Sequence, residues 1–286
     1  MTQDARITPT TIEDFLEAKK EYGLEHQKEL SANTLKAYSN DLHTMLDYFK
    51  DQDITRESMI AYRDYLKANW KPESVNRKIR TANQYVTWAG IDAKIQNVKL
   101  VRNMTFENVM TIVDFRRMMR YADKLNKPRE KAIMQTLAGT GIRIGELQYF
   151  TVEALKEKHV VVENKGSKRD IPIPKPVADI LKKYCKERNI TSGIIFRTSN
   201  GTPISNTYLW KSMQHIAGQA RVKKSKIHAH SFRHLFAVNF LEQGGNVLDL
   251  QAILGHKSLK TTAIYTRTTT KELAKKMAKT SVLLEV

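Results

Sequence analysis

Four consecutive stretches in the first ninety residues space their apolar side chains three and four apart, and none carries the two-residue alternation of a strand. Such a period leaves helices as the only regular structure there. The stretch "SANTLKAYSNDLHTMLDYF" shows it best, with Leu35, Tyr38, Leu42, Met45, Leu46 and Phe49 in one stripe behind the cap candidates Ser31 and Asn33. "TTIEDFLEAKKEYGL" carries Ile12, Phe15 and Leu16 behind a threonine cap. "TRESMIAYRDYLKANW" opens as a capping box, with Thr55 three residues ahead of Ser58 and Glu57 in the first turn. After Pro72, "ESVNRKIRTANQYVTWAG" makes a fourth helix that stops at Gly90. Four short amphipathic helices predict a small bundle over residues 1–92.

Periodicity fades over residues 93–106, which read as a linker, and a second domain follows over 107–286. "ENVMTIVDFRRMMRYADKL" and "PREKAIMQTLAG" are helical. "HVVVEN" and "DIPIP" are β-branched runs on either side of "KGSKR", a hairpin pattern, and "SGIIF" is a candidate third strand. From Asn206 onward helices return. The fold class expected is mainly α with a small antiparallel β-sheet.

Charge narrows the partner. The net charge is +18, and all of it falls in residues 101–286, because residues 1–100 sum to zero. Within that first part an acidic start gives way to a basic segment at "KPESVNRKIR". An excess of this size points to a polyanion, nucleic acid before others. The single cysteine, Cys185, excludes an internal disulfide and a thiolate zinc cluster. No signal peptide and no membrane-spanning run are present, so a cytoplasmic protein is expected.

Four places in the second domain hold polar groups that the surrounding pattern does not demand. In "LAGTGIRIGELQ", Gly139-Thr140-Gly141 breaks a helix and Arg143 opens another segment, with Glu146 one turn later. Backbone amides beside a guanidinium make a phosphate seat, although an Arg–Glu pair at this spacing is equally a structural ion pair. "ENKGSKRD" puts Lys165 and Lys168 on a hairpin tip, where they are either solvated or free to reach a partner. In "KIHAHSFRHLF", His230 and Arg233 share a helix face, with His228 and His234 close by. In "LGHKSLKTTAIYTR", a glycine turn precedes His256 and Tyr265 ends the next helical segment. A tyrosine here is either packing or a nucleophile. The second role requires a base or cations, since its ordinary pKa is near 10. No acidic cluster with metal-ligand spacing is present, so no metal and no cofactor are expected.

Taken in order, these stretches resemble the tyrosine recombinases, the phage-integrase family. "TGIRIGEL" is similar to its first conserved box, "HSFRH" to its second, and "LGHKSLKTTAIYT" to its histidine-to-tyrosine segment. "KGSKR" resembles the hairpin that bears the family's lysine, and "SANTLKAYSNDLHTMLDYF" resembles the first long helix of the family's core-binding, SAM-like domain. The resemblance implies that Arg143 and Arg233 hold the scissile phosphate and that His230 is the general base. It implies further that Lys165 is the general acid (Lys168 the alternative), that His256 bonds the phosphate, and that Tyr265 attacks. It also implies a C-shaped clamp on double-stranded DNA, a C-terminal subunit-docking helix at about 271–284, and a homo-tetramer acting on two core recombination sites through a Holliday junction, with accessory DNA-binding proteins as further partners. The DNA-contacting cations expected are Lys71, Arg77, Lys78, Arg80, Lys168, Lys223 and Lys224. With no extra domain expected ahead of the four-helix module, a transposon or plasmid resolvase or a Xer-type enzyme is the expectation, and a compact mobile-element integrase is next. A type IB topoisomerase-like enzyme and a non-catalytic DNA-binding regulator are the alternatives.

Overall fold

A computed structural model describes residues 5–26, 29–50, 52–99, 109–164, 167–228, 230–256 and 258–266. The chain divides into two units, Met1–Met104 and Thr105–Val286.

The first unit is built from α1 (Pro9–Glu25), α2 (Ala32–Phe49), α3 (Arg56–Asn69) and α4 (Pro72–Trp88). Helix starts follow the chemistry of the cap residues. Ser31 accepts the Thr34 amide, and Thr55 and Ser58 cap each other reciprocally. Helix α1 begins at Pro9 with Thr8 as its cap, two residues earlier than the apolar stripe alone indicates. Phe15, Leu42, Phe49, Tyr62, Ile79 and Tyr85 are fully enclosed in one core.

Two expectations for this unit are corrected. Residues 93–98 are strapped to the bundle rather than forming a free linker. The Asn83 side chain bonds both N–H and C=O of Ile95, and Asn76 does the same for Val98, with distances of 2.7–3.0 Å. Ala93 and Ile95 are buried in the core as well. Nor does Lys78 lie on a basic surface of α4. It is 6% exposed; its ammonium donates to Asp41 (3.3 Å) and Thr44 (2.7 Å) and lies over the Trp70 ring. Lys78 therefore cannot reach a phosphate. Arg77 also donates to Asp41 but keeps an exposed face, while Lys71 and Arg80 are exposed.

In the second unit α6 (Pro128–Thr140) is the central helix, packed against α5 (Ile112–Lys124), α8 (Lys175–Glu187), α9 (Asn206–Gln219) and α10 (Ser231–Glu242). Short α7 (Val152–Glu157) leads into β1 (His159–Asn164), which pairs antiparallel with β2 (Ser167–Pro172) from His159↔Pro172 to Asn164↔Ser167. Ser167, Lys168 and Arg169 thus belong to a strand, not to a five-residue tip. Lys165 lies outside the described residues. Lys168 is exposed and pairs with Glu163 across the ladder at 3.6 Å. The stretch "SGIIF" makes only a single bridge, Ile194 to Thr151, because Gly193 at φ +71° turns the chain. Helices α11 (Val247–Leu254) and α12 (Leu259–Thr262) follow, and then the 3-10 turn Ala263–Thr266. The proposed docking helix at 271–284 lies outside the described residues.

Candidate active site

The site is assembled where α6 and α11 end and α10 begins, with β2 packed against α11. Helix α6 stops at Gly141, whose φ of +67° reverses the chain, and Arg143 then caps the 3-10 turn Ile144–Tyr149. The Arg143 amide donates to Glu146 Oε2 at 2.8 Å and its guanidinium to Oε1 at 2.9 Å. From β2, Arg169 donates to the same carboxylate at 2.7 Å and to the Ile253 carbonyl at 3.2 Å. Burial alone would raise the Glu146 pKa. The bonds from the Arg143 amide and guanidinium and from Arg169 outweigh it and hold the group below the ordinary carboxylate range.

Arg233, on the first turn of α10, is 3% exposed. Among the described residues it has no carboxylate partner. Its guanidinium donates to the carbonyls of Gly141 (2.9 Å) and Leu254, the C-terminal ends of α6 and α11. Helix C-termini carry partial negative charge and unpaired carbonyls, so they position a cation without neutralising it. Burial first, then the nearby Arg143, lowers its pKa to about 10, and at neutral pH it stays charged.

Helix α11 stops at Gly255, at φ +61°; a Cβ there would come within 2.8 Å of Arg169 Cδ, so conformation and close approach both require glycine. His256 follows directly. Its Nδ1 is 2.9 Å from Thr262 Oγ1. Burial, then Arg233, Arg143 and Arg169, depress its pKa to about 4, so it is neutral at physiological pH. Tyr265 places its ring nearly parallel to that of His256, at 6.3 Å between centroids, and edge-on to His234 at 4.8 Å. Its pKa is raised by burial, with Arg233 and Arg143 pulling the other way.

His230 stands one residue ahead of α10 and is exposed. Its pKa is lowered by partial burial and then by Arg233 and Arg143 among the neighbouring charges. The lowered pKa of His228 comes from burial alone. Of the two, His230 lies in the field of the arginines.

Among the described residues, then, Arg143, His230, Arg233, His256 and Tyr265 come together; two guanidiniums, those of Arg143 and Arg169, share the Glu146 carboxylate, and Arg233 adds a third that donates only to carbonyls. Such an excess of buried positive charge is built for an anion.

The phage integrase family model matches residues 103–272, more than half of the chain, and the N-terminal SAM-like domain of phage integrases matches residues 12–90. The chain belongs to the phage integrase family.

Its relatives include the tyrosine recombinase XerD of Listeria monocytogenes, 28% identical with 90% of this chain and 94% of that protein covered. The tyrosine recombinase XerA of Pyrococcus furiosus is 27% identical, covering 88% and 90%. In fold, this integrase-family chain is similar to the XerH site-specific recombinase bound to its difH substrate, with a TM-score of 0.71, 17% identity, and 96% and 98% of the chains covered. The Tn1549 transposon integrase in complex with transposon right end DNA gives 0.72, at 15% identity over 94% and 99%. The chain is therefore a tyrosine recombinase, an enzyme that breaks and rejoins DNA strands.

Sequence reading passed over two members of this cluster. Arg169 lies two and four residues ahead of the inward-facing Ile171 and Ile173, so the two-residue period of the strand already assigns it to the same inner face. Thr262, completely buried, contacts His256 through a turn that no periodicity predicts. The remaining candidate cations, Lys223 and Lys224, are exposed at the 3-10 turn Lys224–Lys226.

Proposed function

We propose that Tyr265 attacks the scissile phosphate of a duplex core site, so that its oxygen bonds phosphorus as the bond to O5′ breaks. The products are a 3′-phosphotyrosyl link and a free 5′ hydroxyl. Because phosphodiester energy is kept in the link, the 5′ hydroxyl of a partner strand can reverse the step without nucleotide hydrolysis. Arg143 and Arg233 hold the non-bridging oxygens, whose charge grows in the transition state. His230, neutral at pH 7, takes the tyrosine proton, and Lys165 protonates the leaving O5′, with Lys168 as the alternative donor. His256 donates to the phosphate. Arg233 beside Tyr265 carries this reading: among the described residues its partners are carbonyls alone, and a buried cation so placed gains most when a phosphate arrives.

Exposed Lys71, Arg77, Arg80, Lys168, Lys223 and Lys224 contact the DNA backbone, which makes binding strongly salt-dependent. Four protomers act on two sites in the cytoplasm and pass through a Holliday junction, resolving or integrating a mobile element or a replicon dimer.

The test is covalent trapping. The full chain is incubated with duplexes from around its own gene, denatured, and run beside Tyr265→Phe. A slower band in the wild type alone is expected. Tight binding of a duplex by both proteins with no adduct from either would favour the non-catalytic regulator.

A further inference from the structure

The Thr262 hydroxyl is completely buried, and its one hydrogen bond among the described residues is to His256 Nδ1. A hydroxyl hydrogen enclosed in this way has to be donated, because a buried donor left without an acceptor loses its solvation and gains nothing in return. A neutral imidazole has one N–H and one bare nitrogen, and whatever is bonded to one nitrogen fixes the other. If Nδ1 carried the hydrogen, it would point at Thr262, and the hydroxyl hydrogen would have no acceptor. If Nδ1 is bare, it accepts from Thr262, and the ring hydrogen sits on Nε2, on the side of the ring away from Thr262.

We propose that Thr262 is a positioning residue: by donating to His256 Nδ1 it locks the imidazole as the Nε2–H tautomer, a neutral donor presented to the scissile phosphate. The inference rests on the recombinase reading for its role and on geometry alone for the tautomer. Charge around the ring supports it. The groups whose fields reach His256 are Arg233, Arg143, Arg169 and His230, and burial first, then the three permanent cations, keep it from gaining a second proton. Without Thr262, the neutral ring is free to turn a lone pair toward an anion, which repels it. The arrangement thus yields a hydrogen-bond donor where protonation is suppressed.

The full chain, labelled with 15N only in histidine, reports the tautomer directly, with His256 assigned by its loss in His256→Gln. In the wild type at neutral pH, the spectrum is expected to show a bare Nδ1 and a protonated Nε2. Thr262→Ser should keep that pattern, and Thr262→Val should give a mixture of tautomers. On a duplex that yields the Tyr265-dependent adduct, Thr262→Val should form it about tenfold more slowly with unchanged DNA affinity, and Thr262→Ser close to the wild-type rate. A hydrogen on Nδ1 in the wild type, or identical spectra for wild type and Thr262→Val, overturns the proposal. So does a normal adduct rate in Thr262→Val despite a changed tautomer. Failure of every duplex to give an adduct would sink the recombinase reading and with it the catalytic role, and the wild-type spectrum would still decide the tautomer.

Discussion

Each unit of the protein buries a carboxylate that gathers cations, and the two clusters end in opposite states. In the first unit, Asp41 is 2% exposed and receives Lys78, Arg77 and the Thr81 hydroxyl. The one cation fully buried with it, Lys78, is matched by it, and Arg77 extends into water with 45% of its side chain exposed. In the second unit, Glu146 holds Arg143 and Arg169, but among the described residues the most deeply buried cation, Arg233, is given only carbonyl oxygens. A structural network closes its charge account within the fold, whereas a site for an anion leaves it open. Burial and hydrogen bonding look alike in both, and the missing counter-charge separates them.

The largest expected effect comes from opening the closed cluster. Asp41→Ala leaves Lys78 buried and unpaired and should destabilise the first unit by about 3–5 kcal/mol, read from urea unfolding. Replacing both partners, as in Asp41→Leu with Lys78→Met, should recover most of that loss, because two apolar side chains remove the desolvation penalty together. A double variant as unstable as the single one would show that Asp41 is there for more than Lys78.

Arg233→Ala tests the open cluster. Removing a donor aimed at developing charge costs on the order of 10²–10³ in rate, or about 3–4 kcal/mol. The variant should therefore form the phosphotyrosyl adduct that much more slowly on a saturating duplex. Folding stability should fall far less, since the lost cation had no buried carboxylate to strand. If Arg233→Ala unfolded the unit as Asp41→Ala does, the contrast between the clusters would be lost.

How much of this was legible in the sequence follows from the range of each interaction. The four helices of the first unit were legible because cap and stripe both lie within a few residues, as at Ser31 and Thr55. The same local pattern misplaced Lys78. Successive residues on a helix turn by about 100°, so Lys78 leaves the face of Arg77 and Arg80 and joins the side of Val75, Ile79 and Ala82, which are buried. Of the site, the chemical identities of Arg143, His230, Arg233, His256 and Tyr265 were legible as motifs. What holds them was not: Arg233 is seated on carbonyls 92 and 21 residues away, and Arg169 reaches Glu146 across 23 residues. Such partners depend on where helix ends meet in space. The third strand failed for a local reason, the left-handed Gly193, which a run of β-branched residues conceals.

Acidification should show the smallest of these effects, and in the open cluster. His256 has a folded pKa of about 4 against an ordinary 6.5, so the unfolded chain binds its proton first as pH falls. The stability this group contributes is whole above pH 6.5 and is lost progressively as pH drops toward 4. Between pH 7 and 4.5 the loss from His256 alone should be on the order of 2–3 kcal/mol, and the lowered pKa values of His228, His230 and His234 act in the same direction. Urea unfolding of the full chain at the two pH values measures the sum, and His256→Gln isolates the single term by flattening part of the slope. Bound phosphate sharpens the comparison. An anion beside Arg233, Arg143 and His256 offsets the cations that act with burial to keep the imidazole neutral, so phosphate should raise the His256 pKa and move the loss to a narrower window. The Asp41 cluster, with its buried charge already matched, should leave the unfolding of the first unit unmoved by the same addition. Equal protection of both units by phosphate would mean that the excess positive charge around Arg233 is not what receives the anion.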